Sequence, residues 1–237
     1  MILELTQLPT ERVRGIYTIG GVAGRMPARA LYLHPLAAAS YLADLADALV
    51  VSDLLRTPES SLEAVRRGRG AQPPGYSLHN FGVALDLDIA PTMKRVGVAT
   101  KPSLDAWMRE RGWWCHRVDG KMAHEAWHYN YLRAGEQLGH GPVTISPRVR
   151  STAGYGEELI RRLYGAQIEP DDRACQEALA RLRIYRGAID GDVGPLTREA
   201  VRVFRRGWGL PDDYRLDART RRTLALVAAE RRLVPVP

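Results

Sequence analysis

Two short stretches of the chain hold residue types that can do metal chemistry. Ser77-Leu78-His79-Asn80-Phe81-Gly82-Val83-Ala84-Leu85-Asp86-Leu87-Asp88 places an imidazole before a glycine and carboxylates after it, and Glu125-Ala126-Trp127-His128-Tyr129 places a second imidazole three positions after a carboxylate. Two imidazoles and one carboxylate on zinc leave the fourth tetrahedral position to water, the arrangement of catalytic rather than structural zinc. Zinc lowers the pKa of that water toward about 7, and Glu125 is then free to act as its base. Chemistry alone allows either Asp86 or Asp88 as the carboxylate ligand. The alternation of Ala84, Asp86 and Asp88 with Leu85, Leu87 and Ile89 predicts a strand that carries both on one face.

A competing set overlaps the second stretch. His124-Glu125-Ala126-Trp127-His128 satisfies the His-Glu-x-x-His pattern of helical zinc proteases, in which His124 would replace His79 as a ligand. That scheme needs a helix, whereas Trp127-His128-Tyr129-Asn130-Tyr131 is aromatic and strand-like, and it leaves the 77–86 stretch unexplained. In a strand, Glu125 and His128 would point to opposite faces, so the backbone must bend between them and Glu125 is expected at the strand's mouth. Cys115, next to His116, can offer a thiolate to metal, but beside Trp113 and Trp114 it reads as a small buried hydrophobe.

Ser77-x-His79-x-x-Gly82-x-Ala84-x-Asp86 followed by Glu125-x-Trp127-His128 resembles the zinc D-alanyl-D-alanine carboxypeptidase family, which includes vancomycin-resistance dipeptidases and phage endolysin peptidases. The resemblance covers roughly residues 25–135. It implies one zinc per chain on His79, Asp86 and His128, selects Asp86 over Asp88, and makes Glu125 the general base. It also implies that Arg56, at the end of a strand spanning Val50 to Leu55, reaches the site to hold a peptide carboxylate or an oxyanion, and that Ser77 contacts substrate. The chain departs from the family where Leu54 and Leu55 replace the usual glycine and tyrosine before the arginine. Asp88 is left to orient a ligand or a backbone amide, or to make a structural hydrogen bond.

The elements that must position these residues are legible in outline. Pro35 to Val50 reads as an amphipathic helix with Leu42, Leu45 and Leu49 in its apolar stripe, and His34 as a surface residue at its start. Val50 to Leu55 reads as a strand, residues 66–76 as a loop over the cleft, and Ser103 as the cap of a helix to Arg111 that Gly112 closes. Trp113-Trp114 reads as a strand and Cys115 to Ala123 as a connection. Gly139 to Gly156 has the composition of a linker. Helical spacing then recurs over Glu157–Tyr164, Arg173–Leu182, Thr197–Phe204 and Arg219–Glu230.

Within that second half, Asp190-Gly191-x-x-Gly194-Pro195-x-Thr197-x-x-Ala200-Val201-x-x-Phe204 resembles the small helical peptidoglycan-binding domain appended to many wall hydrolases. The resemblance implies that Thr197 caps the following helix. Arg205 stands where that domain usually has a glutamine, which bears on the glycan contact more than on the fold. The expected fold class is therefore α+β: a small antiparallel sheet flanked by helices and carrying a zinc site, plus a separate all-α three-helix domain. The expected boundaries are 1–140 for the peptidase domain, 141–155 for the linker and 156–237 for the wall-binding domain, with residues 1–140 folding on their own.

Composition narrows the partners. A net charge of +7 and a pI near 9.7 favour polyanions, among them cell-wall carboxylates. The basic excess is spread over both halves with no basic arm, which argues against nucleic acid as a specific partner. Two cysteines, one per expected domain, exclude a disulfide framework. No basic-then-apolar leader opens the sequence and no apolar run reaches the ~18 residues of a membrane span. The expectation is a monomer made in a host cytoplasm that reaches the wall after release, as a phage lysin does, or by non-classical export. Its expected activity is hydrolysis of an amide bond in the peptidoglycan stem peptide, a terminal D-Ala-D-Ala, an L-Ala-D-Glu bond or a crosslink. The alternatives from other classes are a catalytically inactive wall-binding protein and a basic nucleic-acid carrier.

Overall fold

The structure, a computed structural model, describes residues 2–19, 22–25, 31–68, 72–115, 117–118, 121–122, 125–133, 160–161 and 163–234. The turns read at Gly20, Gly21 and Pro27, His116, His124, the 139–156 linker and half of the helix read at 157–164 lie outside the described residues. In chain order the strands and helices are β1 (Ile2–Gln7), β2 (Ile16–Ile19), β3 (Val22–Arg25), β4 (Tyr32–Leu33), α1 (Pro35–Ser40), β5 (Val51–Asp53), α2 (Pro58–Arg66), β6 (Ala84–Leu87), α3 (Ile89–Val96) and α4 (Lys101–Glu110). They continue with β7 (Trp113–Cys115), β8 (Arg117–Val118), β9 (Lys121–Met122), β10 (His128–Tyr131), α5 (Asp172–Arg181), α6 (Pro195–Gly207), α7 (Ala218–Ala228) and β11 (Glu230–Val234). The architecture is mixed α+β with a helical C-terminal part.

The sheet that matters for function is antiparallel, in the order β5-β6-β10-β7. All four residues of β6 are buried, as are Tyr129, Asn130 and Tyr131 of β10, so the sheet centre is covered on both faces. Trp113 and Tyr131 stack at 5.0 Å between ring centroids along its β7 edge. The register sets His128 opposite Asp86 and Asp53 beside Asp86. Residues opposed across antiparallel strands have Cβ atoms about 4.5–5.5 Å apart, so pairing alone brings two of the expected ligands together.

Several local expectations shift by a few residues. The helix read from Ser103 begins at Lys101, because Thr100 is its cap and accepts the Ser103 amide at 3.2 Å. The helix from Pro35 widens after Ser40 into a turn over Tyr41–Leu45, where the Ala46 amide reaches back to the Tyr41 carbonyl at 2.9 Å. His34 does stand at the helix start, as its cap, but it is half-buried rather than on the surface: its Nδ1 accepts the Leu36 amide at 3.3 Å, and burial pushes its pKa down to about 4. The cap of α6 is Gly194 with Pro195 in the first turn; Thr197 is buried inside the helix and donates to the Asp192 carbonyl at 3.3 Å. Arg205 is buried as well, donating to the Pro211 and Arg215 carbonyls at 2.9 Å and pairing with Asp213 and Asp217. Its role is therefore to tie down the loop before α7, with no face left for glycan.

The C-terminal part does not stand clear of the N-terminal part. α7 stops at Ala228, two residues short of the helix read to Glu230, and the chain continues as β11, which pairs in parallel with β1 in a sheet of order β11-β1-β4. Glu230-Arg231-Arg232-Leu233-Val234 has no apolar-polar alternation and so gives no strand signal to override the preceding helix pattern; the edge of β1 supplies the pairing instead. Ile160, Leu163, Ile168 and Leu226 all join the core centred on Leu33, Phe81, Leu85 and Tyr129. A second, smaller core of Leu179, Val201, Phe204, Leu210 and Leu224 holds α5, α6 and α7 together. Leu226→Ala, in a helix of the C-terminal part, should therefore destabilise the first core by about 2–5 kcal/mol, read as an earlier urea midpoint of the N-terminal transition. An unchanged midpoint would mean that this helix does not pack into the first core.

Candidate metal centre

The chain enters the site along a 3-10 turn, Leu78–Phe81, whose four residues are all buried. Gly82 ends the turn at φ +67°, and a Cβ there would stand 2.6 Å from the His34 amide nitrogen, so only glycine lets the turn pass into β6 under this part of the chain. The His34 amide donates to the Gly82 carbonyl at 2.8 Å. His79 thus projects from the turn and Asp86 from β6 while His128 comes across from the start of β10.

Their ligand atoms converge. His79 Nε2 lies 3.1 Å from Asp86 Oδ1 and 3.1 Å from His128 Nδ1, and His128 Nδ1 lies 2.9 Å from Asp86 Oδ1. Among the described residues these three form the one group of acidic, imidazole or thiol side chains able to hold a metal ion. His79 is almost fully buried and Asp86 nearly so, with His128 nearer the surface.

The outer nitrogen of each ring is already spent. His79 Nδ1 faces the Leu54 carbonyl at 2.6 Å, and that oxygen can only accept, so Nδ1 carries the proton. His128 Nε2 sits 2.8 Å from Asn130 Oδ1, again an acceptor, so Nε2 is the protonated nitrogen. What remains is an unprotonated Nε2 on His79 and an unprotonated Nδ1 on His128, both aimed at a carboxylate oxygen. Three lone pairs at about 3 Å without a positive charge between them repel one another, whereas tetrahedral bonds of about 2.0–2.1 Å place ligand atoms about 3.3 Å apart. The electrostatics show a demand for positive charge at this point, which a proton on His79 meets where no metal does. Burial opposes charge on His79, but the Asp86 carboxylate outweighs it and raises the imidazole's pKa. Burial likewise opposes the Asp86 charge, and the two imidazoles outweigh it, holding the carboxyl far below its ordinary range.

Other expected site residues fall as follows. Arg56 lies just beyond β5, ion-paired with Asp53 and with its Nη2 3.8 Å from Asp86 Oδ2, so its guanidinium is at the rim of the triad. Glu125 is exposed and sits at the mouth of β10. Its carbonyl accepts the His128 amide at 3.1 Å across the turn Ala126–Trp127, which is the required backbone bend. No helix spans 125–131, so the described part of the His-Glu-x-x-His segment lacks the geometry that pattern needs. Ser77 is buried just before the 3-10 turn, its hydroxyl making no cap and its carbonyl accepting the Asn80 amide at 2.9 Å.

Asp86 and Asp88 do not share a strand face. β6 ends at Leu87, and Asp88 is exposed at the start of α3, outside the ligand group, its carbonyl accepting the Thr92 amide at 3.2 Å. Cys115 is also outside the group, its Sγ near Lys101 Nζ at 3.5 Å. The partners that orient the triad are ones the sequence reading missed: the Leu54 carbonyl, Asn130 and Asp53. Asn130 had a signal, since a residue two past His128 in a strand shares its face. Asp53 had one too, three residues before the arginine it holds.

Residues 169–224 match the family model described as "Putative peptidoglycan binding domain". That segment contains α5, α6 and most of α7, and it makes the C-terminal part a peptidoglycan-binding domain, with peptidoglycan as the partner it supports. Neither a curated protein nor a solved structure matches the chain. No helix among the described residues is long and apolar enough to cross a membrane.

Proposed function

We propose that the protein is a zinc-dependent peptidoglycan hydrolase that cuts an amide bond in the stem peptide, with His79, Asp86 and His128 holding one zinc. The observation that carries this reading is the convergence of two imidazole nitrogens and a carboxylate oxygen on one point, with the outer nitrogen of each ring facing a carbonyl oxygen. Two nitrogens and one oxygen suit zinc and leave a position open to water or substrate. Bound zinc supplies Lewis acidity toward a carbonyl and a more acidic water.

The chain's own groups do the rest. Glu125, exposed at the mouth of β10, takes the proton of the attacking water and returns it to the leaving amine nitrogen, which balances the hydrolysis. Arg56, fixed by Asp53 at the rim of the triad, would hold the substrate's carboxylate or the oxygen that gains charge. Ser77 borders the substrate next to His79. The peptidoglycan-binding domain at 169–224 supports the wall as the place where this occurs, by raising the local concentration of stem peptide around the site. The setting that best fits a wall enzyme of this composition is a phage lysin.

Titration of the metal-stripped protein with zinc tests the reading. One equivalent should bind, and peptide hydrolysis should appear in step with it. Binding of the purified wall without any zinc-dependent hydrolysis would leave a wall-binding protein in its place.

A further inference from the structure

The peptidoglycan-binding domain reaches the metal centre's supporting loop through buried polar contacts. Thr223 on α7 is fully buried, and its hydroxyl lies 2.9 Å from the Pro74 carbonyl and 2.9 Å from the Arg219 carbonyl of its own helix, which share its one proton. The next residue, Gly75, has φ +85°, and a Cβ on it would stand 2.9 Å from that same hydroxyl, so loop and helix are in direct contact. Arg219 and Arg222 of α7 lie over the Tyr76 ring, 4.3 and 5.6 Å from its centroid. Arg222 is held in turn by Glu169 at 3.0 Å.

From the loop the contacts continue inward. The Gly75 amide donates to Asn80 Oδ1 at 3.2 Å, and Asn80, fully buried, donates through Nδ2 to the Arg56 carbonyl at 2.7 Å and to Ser61 Oγ at 2.9 Å. The Arg56 amide donates to the His79 carbonyl at 3.2 Å. Thr223, the 74–76 loop, Asn80, Arg56 and His79 therefore form one run of bonded groups, and most of its members have no water to fall back on. Removing one partner leaves a buried carbonyl or amide unsatisfied, which a well-packed site relieves by moving.

We propose that Thr223 and Asn80 are positioning residues: α7 of the wall-binding domain clamps the 74–80 loop and so sets His79 and Arg56 against Asp86. The domain that holds the wall is then part of the frame of the metal centre rather than a tethered anchor. This rests on the zinc reading above, and it makes the wall-binding domain necessary even for a small soluble substrate. Groups that support metal ligands from outside typically change metal affinity by about 10–100-fold when lost.

The test uses the full chain with Thr223→Val, which keeps the shape and removes the hydroxyl, and Thr223→Ser, which keeps the hydroxyl. Zinc affinity is measured by competition with a chelating dye, amide exchange is followed over residues 72–82, and binding to purified peptidoglycan serves as the control. Thr223→Val should bind zinc about 10-fold more weakly and exchange faster at 72–82 with wall binding unchanged, and Thr223→Ser should restore both. Wild-type zinc affinity in Thr223→Val overturns the proposal, whether or not exchange rises. Should that variant fail to fold, Arg219→Ala loosens the same loop at Tyr76, and unchanged zinc affinity there overturns the proposal equally. A wild-type protein that binds no zinc would instead refute the zinc reading, a result visible before any variant is made.

Discussion

Glu125→Ala should keep one zinc per chain and a wild-type melting profile while its peptide hydrolysis falls by about 10²–10⁴-fold, the span usual for losing a general acid-base group. The separation of the two readouts follows from where the residue sits. Glu125 is exposed at the mouth of β10 and outside the group of ligand atoms, so its removal takes away no ligand and leaves no buried partner behind. Its carbonyl, which accepts the His128 amide, is backbone and survives the substitution. Metal analysis and turnover on the same sample decide the matter. Loss of zinc would make Glu125 a ligand, and near wild-type turnover would make it a bystander.

His79→Ala should do the reverse and empty the centre. It removes the ring whose Nε2 faces both Asp86 Oδ1 and His128 Nδ1 at 3.1 Å, leaving two ligands where a closed set of three stood. It also opens a cavity beneath the 3-10 turn and strips the Leu54 carbonyl of its donor. The expected result is no stoichiometric zinc after dialysis and no zinc-dependent hydrolysis, with a lowered melting temperature. Retention of stoichiometric zinc by this variant would move the ligand role elsewhere, with His124 the first candidate.

The two halves of the triad were legible because a turn, a glycine and a four-residue strand carry His79 to Asp86 and a second strand need only pair with the first to deliver His128, although the residues alone left Asp86 and Asp88 open and only the family resemblance chose between them. What was not legible depends on long-range partners. Asn130, Asp53 and the Leu54 carbonyl orient the triad from three different places; Asn130 and Asp53 each carried a local spacing signal, but that they meet at one point with the Leu54 carbonyl depends on the strand pairing. Asp88 was placed on the Asp86 face because the alternation of residues runs on past Leu87, whereas the chain turns there into α3. The last helix was read on to Glu230 and no strand was read after it, because β11 exists only through its partner β1. Arg205 shows the converse case: its departure from the usual glutamine was visible, but its burial among the carbonyls and carboxylates of the 211–217 loop was not.

The centre and the wall-binding domain meet in one measurement, mass spectrometry of the muropeptides released when purified peptidoglycan is incubated with the protein carrying one zinc. The account predicts fragments shortened or separated at a stem-peptide amide bond, absent with His79→Ala and restored to the stripped wild-type protein by zinc. Intact muropeptides from a wall that the zinc-loaded protein demonstrably binds would contradict it.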